Sequence, residues 1–338
     1  VTADLGMKSH AGSLLAAATL VLTTGLAIPI DADAAFSSNY NGLIFSGWSS
    51  VLGFSPHLVG RDLNGTDLNG LPLDGRRVTG VRLDDGLVDG RAVDWLEVSA
   101  SRLTGRAADG HPLHTRDFSD AILVADLDDG STLPLFVTEV WRHPDKGLHD
   151  VFGYRVWFET QEGFEPLCGF DDEGEAALAI PLAGRWDFSE GTATGGSHID
   201  DPWAFTFACD GYVIAKCVLA GYKPWGRTKT CHKGEGCIIG DLAEHHQACT
   251  RALRADYFGD GTPHTSDGTV INLYDDLGVR DDLDDWPFEA EWDAEGARCV
   301  AAPRDPAQAA TVSPLFAEDC GWHPFAYGAL LVTENGEL

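Results

Sequence analysis

The chain has 338 residues, 53 acidic against 23 basic, and a formal net charge of −30. Such a surface repels a phosphate backbone and carries no basic stripe to offset it, which excludes nucleic-acid binding and disfavours anionic membrane surfaces. All eight cysteines lie between Cys168 and Cys320. An even count behind an export signal implies a disulfide framework in an oxidising compartment.

The export signal is expected over residues 1–34. Met7, Lys8 and His10 open a short basic region, residues 14–30 are apolar, and Ala32-Asp33-Ala34 is a small-x-small cleavage site. Thr23, Thr24, Gly25 and Pro29 interrupt the apolar run, which makes it a poor retained anchor. No second segment is apolar enough to span a bilayer. Cleavage near Ala34 leaves 22 basic and 50 acidic residues and predicts a secreted, periplasmic or cell-envelope protein. Its charge is read as a solvated surface that keeps it a monomer.

Residues 35–57 form a linker rich in Ser, Gly and Asn. Over residues 58–105 an apolar residue recurs every five positions: Leu58, Leu63, Leu68, Leu73, Val78, Leu83, Val88, Val93, Val98 and Leu103. Five is not a helix period, and an odd period alternates faces along a flat strand. Two architectures fit. One is a square parallel β-helix that turns a corner every pentad, as in pentapeptide repeats, which Gly65-Thr66-Asp67-Leu68-Asn69-Gly70 resembles. The other is a meander of short strands joined by Asn-Gly and Asp-Gly hairpin turns. Arg61, Arg76 and Arg91 at the small inward positions of a coil argue against the first, because buried unpaired arginines are costly.

Residues 106–187 predict an antiparallel β unit with strands at 121–127, 133–141 and 151–159. His143 and His149 fall in a connecting loop and are expected to be solvated. Residues 188–330 predict an α+β domain. It has a strand at 203–207 entering Cys209, a helix at 212–220, a helix at 242–255 capped by Asp241, and a hairpin of 288–292 with 297–301. Leu242, His246, Cys249 and Leu253 share the buried face of the second helix. The fold class is therefore α+β: a β-rich N-terminal half followed by a disulfide-stapled α+β domain.

Several blocks in that domain occur in order. They are Phe205-Thr206-Phe207-Ala208-Cys209, Ala215-Lys216-Cys217, Gly221-Tyr222-Lys223-Pro224-Trp225, His246 through Gly261 containing Ala255-Asp256-Tyr257, then Asn272-Leu273-Tyr274-Asp275 and Glu289-Ala290-Glu291-Trp292-Asp293 before Cys299. Together they resemble the ADYC domain, a bacterial family named for an Ala-Asp-Tyr-Cys tetrad, over about residues 185–300. The resemblance implies architecture and export but no mechanism. Phe258 stands where the tetrad has Cys, so a disulfide made by that cysteine would be lost, with burial of Phe258 expected to offset part of the cost. Cys168, Cys209, Cys217, Cys231, Cys237, Cys249, Cys299 and Cys320 allow 105 pairings, among which Cys231–Cys237 is favoured.

Candidate chemistry gathers at the tetrad. His246 with Asp256 or Asp260, and His264 nearby, could supply a general-base pair for a hydrolase. No Gly-x-Ser-x-Gly elbow presents a nucleophile. The competing reading has His246 facing the core with its ring bonded to a carbonyl, Asp256 turning the chain after the helix and Tyr257 as a core aromatic. Asp260 and Asp267 are weak calcium candidates that lack EF-hand spacing. A Cys231/Cys237/His232 zinc site fails on spacing, and no cofactor is expected. Trp141, Trp157, Trp203, Trp225 and Trp292 could form a carbohydrate platform, although tryptophan in β-rich proteins is usually core. The reading carried forward is a non-catalytic secreted binding or structural module with an unknown protein or carbohydrate partner, and the alternative is the hydrolase.

Overall fold

The computed structural model describes residues 57–59, 76–171, 174–232, 236–266, 269–282, 285–325 and 328–336. The expected export signal, most of the expected linker and the pentads at 60–75 lie outside them. Strand β1 (His57–Val59) belongs to a sheet formed late in the chain. The pentad run becomes structured at β2 (Val78–Val88), which turns through Asp89-Gly90 into β3 (Arg91–Ser99). Both turn residues have positive φ, 51° and 69°, the backbone of a type I′ hairpin. A second tight turn at Ala100-Ser101 leads into β4 (Arg102–Ala107), followed by β5 (Pro112–Leu113). Over its described part the pentad run is therefore an antiparallel meander, not a coil.

The hairpin geometry explains the period of five. Val98 and Leu103 are cross-strand partners one pair outside the two-residue turn Ala100-Ser101, where partners are five apart and point to one side. Register shifts between Val81 and Gly86 and between Val93 and Trp95 reset the face that an odd period would otherwise flip. Val78, Val88 and Leu103 are buried as a result.

The following strands are β6 (Ile122–Leu127), β7 (Thr132–Arg142), β8 (Phe152–Thr160), β9 (Gly163–Pro166) and β10 (Leu178–Ala183). A small ribbon of β11 (Arg185–Trp186) and β12 (His198–Ile199) comes next, then β13 (Ala204–Cys209). Strands β2, β6, β7, β8, β10 and β13 pair antiparallel in that order, and β13 pairs back onto β2 through Ala204 with Arg82 and Phe205 with Val81. The result is a closed six-stranded barrel, which leaves no edge among its six strands. It draws strands from both sides of residues 105 and 187. Its interior holds Val81, Leu103, Phe118, Leu123, Leu135, Tyr154, Phe205 and Phe207. Leu103 N–H donates to Tyr154 Oη at 2.9 Å, tying the meander to the barrel wall. His143, expected to be solvated, is 5% exposed, and burial pushes its imidazole down to about 4 against the opposing charge of Asp145.

A second layer packs two helices on a sheet. The helix Val213–Leu219 ends at Gly221, whose φ of 108° turns the chain. Then come the hairpin β14 (Arg227–His232) and β15 (Gly236–Asp241) and the central helix Leu242–Arg254. Strands β16 (Val270–Asp275), β17 (Phe288–Asp293), β18 (Gly296–Val300) and β19 (Leu331–Asn335) complete the described strands. They form an antiparallel sheet in the order β1, β16, β19, β17, β18, with the last strand inserted in its middle. The core here includes Ile214, Val218, Ala248, Leu253, Ile271, Trp292 and Leu331.

Three disulfides are described: Cys168–Cys209, Cys217–Cys249 and Cys299–Cys320. They fit an extracellular or otherwise oxidising compartment. Backbone register places Cys231 opposite Cys237, but the side chains of that expected pair lie outside the described residues. No described helix is long and apolar enough to cross a membrane. The Cys217–Cys249 bond joins the two helices across a sequence separation of 32. Replacing both cysteines by Ala is expected to lower unfolding stability by about 3–4 kcal/mol, measured by urea denaturation of the oxidised protein. A loss below about 1 kcal/mol would contradict that role.

Candidate functional site

From His245 onward the central helix is buried on every side, not on one face alone; Ala243 and Glu244 in its first turn are exposed. Besides Leu242, Ala248, Cys249, Ala252 and Leu253, it buries His245, His246, Gln247, Thr250, Arg251 and Arg254. Buried polar groups need partners, and the partners arrive from two directions. On one side lies the segment around β11 and β12. Gln247 accepts from His198 N–H at 3.0 Å and donates to Gly196 O at 2.9 Å. Arg251 donates to Gly195 O at 2.5 Å and to Ser197 Oγ at 2.7 Å. On the other side lies the tetrad.

Ala255 leaves the helix in the left-handed conformation, φ 51°. The last four helical carbonyls, which a helix cannot satisfy internally, are all accounted for. Arg251 O accepts from Asp256 N at 2.9 Å and Arg254 O from His264 N at 3.0 Å. Ala252 O accepts from Ala255 N at 3.1 Å and Arg304 Nη2 at 2.7 Å, and Leu253 O from Arg304 Nη1 at 3.1 Å. Arg304 thus places a guanidinium at the negative end of the helix dipole.

The tetrad side chains lock this closure. Asp256, fully buried, is ion-paired with Arg251 and accepts from Asp260 N at 3.1 Å and Gly261 N at 3.0 Å. Tyr257 donates to Glu289 Oε1 at 2.8 Å, accepts from Arg304 N at 2.9 Å, and stacks on Trp292 with centroids 5.2 Å apart. Glu289 also pairs with Arg304 at 3.1 Å. The loop beyond must approach closely: a Cβ on Gly259 would collide with Glu295 O.

Phe258 is not buried as expected. It is 38% exposed and meets the His264 ring edge-on at 5.7 Å.

Of the four catalytic candidates, Asp256 is fully engaged as above and His264 donates from Nδ1 to Ala255 O at 3.1 Å. Asp260 accepts from Thr262 N at 2.9 Å. His246 donates from Nε2 to Ile214 O at 3.0 Å. His246 lines a cleft of about 450 Å³ bounded also by Trp186, His198, Asp200, Trp225 and Glu244.

Of the five tryptophans weighed for a platform, Trp225 lines that cleft, Trp292 is buried and Trp203 is 68% exposed. Asp267 lies outside the described residues. Among the described residues the one cluster with metal-ligand spacing is Glu291, Cys299 and Cys320, whose cysteines are already bonded to each other.

Sequence reasoning missed Arg251, Arg254, Glu289 and Arg304, because charged residues are read as surface by default. It also missed Trp186 and His198, because a two-residue strand gives no periodic signal.

Three expectations follow. Asp256→Ala leaves Arg251 buried without its partner and should cost about 3–5 kcal/mol, whereas Asp260→Ala should cost under about 1 kcal/mol. Denaturation curves would show it, and equal losses would contradict the assignment. Burial pushes His246 down to about 4, outweighing its bond to Ile214. The unfolded chain then binds the proton first, so stability is full above about pH 6.5 and falls as pH drops toward 4, by about 2 kcal/mol at pH 5. Burial raises Asp210 to about 6, against its bond from Gly211 and the charge of Lys216, which opposes that trend because its proton favours the native state. His246→Gln should flatten the loss between pH 7 and pH 5, and Asp210→Asn should steepen it.

No curated protein and no solved structure matches the chain. Residues 115–306 match the ADYC domain. That span runs from the barrel strands through the capped central helix to Arg304, so the chain belongs to the ADYC domain family.

Proposed function

We propose that the chain is an exported, disulfide-stapled binding module without catalytic activity. The observation that supports this reading is the full commitment of the tetrad neighbourhood to closing the central helix. Both oxygens of Asp256 are occupied, and the ring N–H of His264 is spent on a backbone carbonyl. A general base needs a lone pair within reach of substrate, and these groups face the interior. The acidic surface and the disulfides suit a protein that works outside the reducing cytoplasm. Export would remove residues 1–34.

The test is the oxidised mature chain assayed against chromogenic esters, peptides, glycosides and phosphates. No turnover is expected, and His246→Ala should lower the melting temperature. Turnover that His246→Ala abolishes at an unchanged melting temperature would overturn the reading. Protein recovered from the envelope or medium should begin at Ala35, and its thiols should resist alkylation until reduced.

A further inference from the structure

We propose that the cleft between the β11–β12 ribbon and the first turns of the central helix binds a neutral polyhydroxylated ligand, a sugar unit, anchored by Trp186 Nε1 and His246 Nδ1. The inference rests on the binding-module reading and gives it a ligand class.

Trp186 is 4% exposed, lines the cleft, and its indole Nε1–H has no hydrogen-bond partner among the described residues. Buried indole N–H groups ordinarily find an acceptor, and leaving one unmade costs about 1–3 kcal/mol. The ligand therefore must accept. His246 donates from Nε2 to Ile214 O at 3.0 Å, so its neutral ring presents Nδ1 as an acceptor. The ligand therefore must also donate. The two rings meet edge-on with centroids 5.9 Å apart, and both line the cleft.

A hydroxyl accepts and donates through a single atom. A carbonyl would satisfy Trp186 alone, and an ammonium His246 alone. Trp225 spends its own indole N–H on Asp150 at 2.8 Å, which fixes the ring as an apolar wall for the C–H face of a sugar. Glu244 and Asp200 supply carboxylates for further hydroxyls and repel anions. A volume of about 450 Å³ falls within the usual range for small-ligand sites.

The experiment is saturation-transfer NMR and tryptophan fluorescence on the oxidised mature chain. The probes are methyl α-D-glucopyranoside, methyl β-D-galactopyranoside, N-acetylglucosamine and cellobiose at about 50 mM, above a Kd of about 1 mM, with choline as the cationic control. At least one sugar is expected to bind. Trp225 packs partly against the core, so Trp225→Ala is read only if its circular dichroism and melting temperature match the parent. Trp225→Ala and Trp186→Phe should each weaken that binding by about tenfold. Absence of sugar binding, or binding unchanged in Trp225→Ala, overturns the proposal and leaves the module reading standing. Binding of choline in place of every sugar overturns the ligand class. A sugar that binds and is recovered cleaved upholds the site and overturns the non-catalytic reading instead.

Discussion

The structure turns on how one buried helix end is closed. A helix of thirteen residues enclosed on every side from His245 to its end cannot leave its last carbonyls to water, and each unmet carbonyl would cost as much as a buried polar group without a partner. The tetrad supplies backbone N–H groups through a left-handed residue, and Arg304 reaches back from fifty residues downstream with its guanidinium. That cation needs a counter-charge, which Glu289 provides from the sheet. Tyr257 joins the same carboxylate to the backbone of Arg304. Helix, loop and sheet are thereby one hydrogen-bonded unit.

Much of the secondary structure was legible in the sequence because it obeys simple periods. The strands near 122–127, 132–142 and 152–160, the helix Leu242–Arg254 and the hairpin of β17 with β18 all lie within a residue or two of the sequence expectation. Their β-branched runs, glycine stops and Asp-Gly turns carry local information. Closure of the barrel was not legible. It depends on β2, whose register shifts between Val81 and Gly86, pairing with β3, β6 and β13 along its length, and a register shift is not read from a hydrophobic pattern alone. The pentads left a coil and a hairpin meander both open, since turns and bulges can mimic a repeat, and their described part is the meander.

The site was half legible. The residues of the tetrad stretch stood out as a cluster, and their structural use was one of two readings open on sequence alone. What decides between them in space is the direction of each side chain. Glu289-Ala290-Glu291-Trp292 reads as a strand with one wet face, yet both faces are buried, because residues near 304 cover the acidic side. Trp186 and His198 were invisible because their significance comes from meeting each other, at 4.7 Å between ring centroids, across a ribbon only two residues long.

The position of β19 sets the order in which this protein can assemble. Residues 331–335 lie between β16 and β17, strands made some forty to sixty residues earlier, so the middle of the sheet is the last part to be synthesised. The barrel can close while that strand is still absent. The helix layer cannot, because its sheet is two separate pieces until the final insertion, with the flanking edges of β16 and β17 unpaired in the interval. The disulfide Cys168–Cys209 joins two residues of the barrel's own core, so its formation does not require the second layer. The sheet of the second layer is thus joined in its middle by one short strand that comes last in the chain.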